Sequence, residues 1–431
     1  MLDLIVRNAT LPDGRRGLDI AVKDGRIAEI APAIEAAATG EIDAAGHLVT
    51  PPFVDSHFHM DAALSLGLPR FNESGTLLEG IALWGELAPT LTPEAVKSRA
   101  HELCRWSIAR GIGAIRSHVD VTDPSLMAVE ALLEVKREVK PWIELQLVAF
   151  PQNGFYRDPK TAENLTRALD LGVEVVGGIP HFERTMAEGA ASVTALCGIA
   201  AERGLLVDMH CDETDDPMSR HIETLALETT RLGLAGRVTG SHLTSMHSMD
   251  NYYVSKLLPL IADSGVAAIA NPLINITIQG RHDAYPKRRG MTRVKEMLAC
   301  GIPVALGHDC VMDPWYSLGS HDMLEVAHMA VHVGHMTGRD EMRSLFRAVT
   351  ETAASLLHLD GYGLEPGCHA DLVVLQAGDP IEAIRLRATR LYVIRRGRVI
   401  SRMAPNQASL DLGGETHEVD FLRPPPADPG K

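Results

Sequence analysis

The chain has 431 residues, 45% hydrophobic and 23% charged, with a formal net charge of -15 at pH 7. That length suits a barrel of about 250 residues plus an accessory domain, with a core large enough to need no staples. The acidic balance and the lack of a lysine or arginine stripe argue against a polynucleotide partner, since phosphate binding depends on clustered cations. The nearest exception, Tyr285-Pro286-Lys287-Arg288-Arg289, has only three cations and reads as a solvated loop.

At the N-terminus, Leu4-Ile5-Val6, Leu18-Asp19-Ile20-Ala21-Val22 and Arg26-Ile27-Ala28-Glu29-Ile30 are short β-type runs separated by turns, two of them Asp13-Gly14 and Asp24-Gly25. Met1-Leu2-Asp3-Leu4-Ile5-Val6-Arg7 has no charged-then-apolar signal pattern, and nowhere does an apolar run reach the length of about 18 residues that a membrane span needs. The six cysteines (104, 197, 211, 300, 310 and 368) form no C-x-x-C pair. A cytoplasmic protein with reduced thiols and no membrane partner is expected.

Eight strand-like runs follow, near 48–59, 113–120, 143–150, 173–181, 205–210, 238–242, 266–271 and 303–308, each followed by helix-compatible sequence. This alternation fits a (β/α)8 barrel and also a doubly wound sheet. The polar residues at the run ends favour the barrel, whose active sites gather at the C-terminal ends of the strands. β-type texture returns in Ala370-Asp371-Leu372-Val373-Val374-Leu375, Leu391-Tyr392-Val393-Ile394 and Arg396-Gly397-Arg398-Val399-Ile400. We therefore expect an α/β chain: a TIM-type barrel over 51–362 and a small β-sandwich built from 1–50 and 363–431. The last stretch, Pro424-Pro425-Pro426-Ala427-Asp428-Pro429, is expected to be an extended tail.

His57-Phe58-His59 ends the first run, and residues two apart on a strand point to one side. A lone His-x-His is weak. His210 at the end of the fifth run, His242 at the sixth and Asp309 at the eighth turn it into a joint signal for a metal site.

These residues resemble the amidohydrolase superfamily, whose first-strand motif is similar to Pro51-Pro52-Phe53-Val54-Asp55-Ser56-His57-Phe58-His59. Asn72-Glu73-Ser74-Gly75-Thr76-Leu77, Val148-Ala149-Phe150-Pro151-Gln152, His210-Cys211-Asp212-Glu213, Asn271-Pro272-Leu273-Ile274-Asn275 and Asp313-Pro314-Trp315-Tyr316 resemble bacterial cytosine deaminases, across nearly the whole chain. The resemblance implies deamination of a free cytosine-type base by a metal-activated water, in a barrel of a kind that often forms homo-oligomers. It implies His57, His59, His210 and Asp309 as ligands of one divalent ion, Fe2+ or Zn2+. Three imidazoles and a carboxylate suit such an ion. It further implies Glu213 as proton shuttle, His242 as the group that holds the attacking water, and Asp309 as acceptor of that water's proton. Gln152 would bind the edge of the base and Trp315 would cover its face. His118, His181 and His308, also near strand ends, read as supporting or packing groups.

The fourth run, Val175-Val176-Gly177-Gly178-Ile179-Pro180-His181, lacks the lysine that bridges two metals in binuclear members, so one metal is expected. The family usually has two successive acids where this chain reads His308-Asp309-Cys310. Cys310 removes a charge and leaves a small polarizable group, which suggests room for a 5-substituted base such as 5-methylcytosine. The rivals are deamination of another amino-heterocycle (isoguanine, creatinine or a triazine), hydrolysis of a ring amide, and a barrel kept as a scaffold. The missing lysine and the presence of Glu213 argue against ring-amide hydrolysis, and the intact ligand set argues against a scaffold.

Overall fold

The computed structural model describes residues 1–423, so the proline-rich stretch 424–429 lies outside the described residues. Eight parallel strands, each paired with the next, form one sheet: Phe53–Phe58, Ile112–Asp120, Glu144–Phe150, Val175–Gly178, Leu206–Cys211, Val238–His242, Ala267–Ala270 and Val304–Leu306. The edges of the sheet meet. The Asp309 N–H donates to His57 O at 2.9 Å, the His59 N–H donates to Asp309 O at 3.1 Å, and Ser56 Oγ donates to Leu306 O at 2.8 Å. This closure, with helices packed outside, makes a (β/α)8 barrel and excludes the open doubly wound sheet.

Local sequence sets the helices. Helix Met186–Arg203 begins where the Thr185 side chain accepts from the Glu188 N–H, and ends at Gly204 in the left-handed conformation. Its Val193, Leu196 and Cys197 are buried in the main core. Truncating such a leucine to alanine costs about 2–5 kcal/mol.

Each of the eight expected runs holds a barrel strand, with one difference. The run 48–59 is two strands, because Leu48–Thr50 pairs with Leu372–Leu375 in another sheet. Pro51 and Pro52 separate them, and proline has no N–H to continue a ladder.

Two four-stranded sheets draw on both ends of the chain. One orders Arg26–Ala31, Leu18–Lys23, Leu2–Ala9 and Ala38–Asp43; the other orders Arg398–Arg402, Arg390–Arg395, Leu372–Leu375 and Leu48–Thr50. Val6, Ile20 and Val22 from the first share a core with Val49, Leu372 and Val374 from the second. A polar hairpin, Ala408–Leu412 and Glu415–Val419, follows. Arg390 ties the second sheet to the barrel: it is fully buried, pairs with Asp322, and donates through Nε to Arg110 O at 2.9 Å. The Tyr285–Arg289 segment is a loop whose cations are largely spent on their own surroundings. Arg288 Nη2 lies 2.6 Å from Asp283 Oδ1, and Arg289 donates to Val333 O at 3.2 Å.

Candidate active site

The first barrel strand delivers His57 and His59 to the C-terminal mouth, while the intervening Phe58 stacks on His321 at 4.5 Å. The eighth strand approaches closely enough that a Cβ on Gly307 would lie 2.7 Å from His57 Cβ and 2.8 Å from His57 O. Only glycine fits there. His242 and Asp309 adopt left-handed backbone, with φ of 72° and 70°. Such a conformation costs a non-glycine residue on the order of 1–3 kcal/mol and persists where its surroundings enforce it.

The side chains converge. His59 Nε2 lies 2.9 Å from His210 Nε2 and 3.5 Å from Asp309 Oδ1, and His57 Nε2 lies 3.7 Å from the same carboxylate oxygen. Both ring nitrogens of His57 and Nδ1 of His210 are buried without a hydrogen-bond partner among the described residues. Burial pushes His59 down to about 3 and holds His57 and His210 well below the usual imidazole range. Neutral, otherwise unpaired imidazoles beside a carboxylate are what a divalent cation requires. The set fits such an ion.

Beside this cluster, Glu213 Oε1 lies 3.1 Å from His242 Nδ1, and Asp309 Oδ2 lies 3.8 Å from it. Asn275 and Asn271 amides reach the His242 ring at 3.0 and 3.3 Å and fix its orientation. Burial pushes the Glu213 carboxyl up to about 8, and it raises Asp309 as well, helped by the Glu213 charge. The Glu213 N–H donates to His181 Nδ1 at 3.4 Å.

These groups open onto a cavity of about 230 Å³ that Gln152, Cys310 and Trp315 also line. Gln152 is buried against the cavity, and its amide carries both a donor and an acceptor. Cys310 Sγ lies 3.6 Å from Asp309 Oδ1, and its thiol is pushed well up by burial and by the Asp309 charge. All nine residues singled out from the sequence thus lie in or beneath one cavity.

Several contributors were not singled out. Leu77, Leu78 and Ile81 of helix Leu77–Leu87 form an apolar wall, as do Ile274 and Ile278. Asp208 lies behind His57, with Oδ1 3.9 Å from Nδ1. His118, read as supporting or packing, lies tilted against His57 with ring centroids 4.2 Å apart. The spacings Arg116-x-His118 and Asp208-x-His210, which put both members on one strand face, could have flagged these two.

A (β/α)8 barrel with imidazoles and carboxylates gathered at its C-terminal mouth defines a barrel enzyme with a site fit for a divalent metal. The chain belongs to the Amidohydrolase family, which matches residues 40–401. The 5-methylcytosine deaminase from Klebsiella pneumoniae, solved with 5-fluorocytosine, superposes with a TM-score of 0.90 at 44% identity, over 93% of this chain and 98% of that one. N-isopropylammelide isopropyl amidohydrolase of Pseudomonas sp. (strain ADP) is 32% identical, over 92% of this chain and 97% of its own. Pterin deaminase of Rhizobium rhizogenes is 30% identical, over 94% and 96%. Among the described residues, no helix is long and apolar enough to cross a membrane.

Proposed function

We propose that this chain hydrolyses the exocyclic amine of a free cytosine-type base, cytosine or 5-methylcytosine, releasing ammonia and leaving a carbonyl. The observation that carries the reading is the buried carboxyl of Glu213 set 3.1 Å from His242, inside the pocket that Gln152, Cys310 and Trp315 line. Ring deamination needs a proton donor at neutral pH, and a buried carboxyl supplies one. The 44% identity to a 5-methylcytosine deaminase supports the same reaction class.

His57, His59, His210 and Asp309 would hold one divalent ion, Fe2+ or Zn2+. When bound, it supplies Lewis acidity and a nucleophile competent at neutral pH. Asp309 accepts the proton of the attacking water. His242, oriented by Asn271 and Asn275, holds the attacking oxygen and stabilises charge there. Glu213 donates its proton to ring N3, takes up the second proton of the attacking oxygen as the carbonyl forms and delivers it to the amine, which leaves as ammonia. The proton held by Asp309 then restores Glu213. Gln152 pairs with the O2 and N1–H edge of the base, Trp315 covers its face, and Cys310 leaves space for a substituent on the ring. This chemistry is assigned to a barrel over 51–362, acting on a small molecule in the cytoplasm, in a homo-oligomeric assembly.

The test is ammonia release from cytosine and 5-methylcytosine by protein reconstituted with iron or zinc. Turnover of either base is the expected outcome. Inertness toward both in the metal-loaded protein would refute the reading. Pterin and N-isopropylammelide, the compounds named for the relatives, would then come first in a wider panel.

A further inference from the structure

Helix Leu77–Leu87 closes one side of the pocket and is tied down along its length. Asn72 Nδ2 donates to Thr76 O at 3.1 Å and to Pro314 O at 3.0 Å, which joins the start of the helix to the loop carrying Trp315. Arg281 Nη2 donates to Gly75 O at 2.7 Å. Further along, Trp84 Nε1 donates to the buried Asp120 Oδ2 at 2.8 Å, at the end of the second barrel strand. The Trp315 backbone is also held: its N–H and that of Tyr316 both donate to Asp313 Oδ1 at 2.9 Å.

Between these ties, Gly80 meets the indole of Trp315. A Cβ on Gly80 would fall 2.8 Å from the indole Nε1 and 2.9 Å from Cγ, and nearer still to Cδ1. The ring rests on bare helix backbone. Gly80 is not among the residues with positive φ, so the helix itself has no use for a glycine, and alanine would be the better helix former. What alanine lacks is room beside the indole.

We propose that Gly80 is a specificity-determining residue: by having no side chain it sets how far Trp315 stands back from the base, and so the width of the slot. This inference rests on the reading of the pocket as a base site. With the helix and the loop both anchored, a methyl group at position 80 turns the indole toward the cavity and narrows it. A base with a ring substituent suffers more than one without.

The test is Gly80→Ala in the full-length, metal-loaded enzyme. KM for 5-methylcytosine is expected to rise roughly tenfold or more relative to cytosine, with kcat changed less, because the loss is one of fit and not of chemistry. Adding Trp315→Phe, whose ring lacks the colliding pyrrole edge, is expected to return the ratio of the two KM values toward its original value. A melting temperature at or above that of the parent separates the collision from loss of the helix. A crystal structure of Gly80→Ala locates the indole without reference to any substrate, so failure of the deaminase reading and failure of this inference are separately visible. An unmoved indole, or KM values for both bases within twofold of the parent, would overturn it.

Discussion

Asp208 lies fully buried inside the barrel with Oδ2 3.0 Å from Arg116 Nη1 and Oδ1 facing His57 Nδ1 at 3.9 Å. The same Oδ1 accepts from Ser241 Oγ at 2.6 Å. Arg116, itself buried, is held by Gln146 Oε1 at 2.7 Å and Leu356 O at 2.8 Å, so the carboxylate has a rigid support. An imidazole that ligates a metal ordinarily shows its other nitrogen to such a group, which fixes the ring and its tautomer. Asp208→Asn is therefore expected to weaken divalent-metal affinity by about 10–100-fold. Competition with a chelator, with the melting of the metal-free protein as control, checks this. Unchanged affinity would reduce Asp208 to a structural partner of Arg116.

The proposed role of Glu213 fixes the alkaline side of the rate profile. Burial pushes its carboxyl up to about 8, and in the proposed mechanism the protonated form is the one that donates to the ring. Activity carried by that proton is present below pH 8 and is lost as pH rises through it. We expect kcat/KM to fall above about pH 8. Glu213→Gln keeps the shape but removes the transferable proton, and should lower kcat by about 10²–10⁴-fold. A profile level to pH 9.5 would remove Glu213 from the role.

Cys310→Asp would place a second carboxylate beside Asp309, in a site where the thiol now lies 3.6 Å from Oδ1. The added charge and oxygens take space from the slot and make it more polar. Turnover of 5-methylcytosine relative to cytosine should drop, by an amount corresponding to about 1–3 kcal/mol in kcat/KM. Parallel assays of the two bases read the ratio directly. If it does not move, Cys310 serves packing alone.

Arg390 is a test of how the β-sandwich is held. Its Nη1 donates to Ala388 O at 2.9 Å, its guanidinium lies 5.1 Å from the Phe53 ring, and it pairs with buried Asp322. Removing one partner of a buried pair strands the other charge, at a cost of about 3–5 kcal/mol. Arg390→Ala should lower unfolding stability by that amount in denaturant titration. Arg390→Met combined with Asp322→Leu should recover much of it.

The barrel was legible because most of the apolar runs end on a polar or ionisable residue, as with His59, His210 and His242, and that punctuation places the strand ends. The convergence of His57, His59, His210 and Asp309 was legible for the same reason. What escaped depends on distance in space. Nothing in the run Leu77-Leu78-Glu79-Gly80-Ile81 tells which face meets the cavity, and Asn275 matters only because a turn of helix brings its amide to His242. The break at Pro51-Pro52 was visible as a motif. That Leu48–Thr50 belongs to a different sheet follows only from its pairing with Leu372–Leu375.

That pairing also orders events in time. The apolar faces of Val6, Ile20 and Val22 find their cover in Leu372 and Val374, which leave the ribosome roughly 320 residues after Val49. At ordinary synthesis rates the wait is on the order of tens of seconds. Throughout it the first sheet carries a sticky surface with nothing to close it, while the barrel takes shape behind. Until Leu372 and Val374 arrive, the N-terminal strands present an apolar face of the kind that chaperones cover.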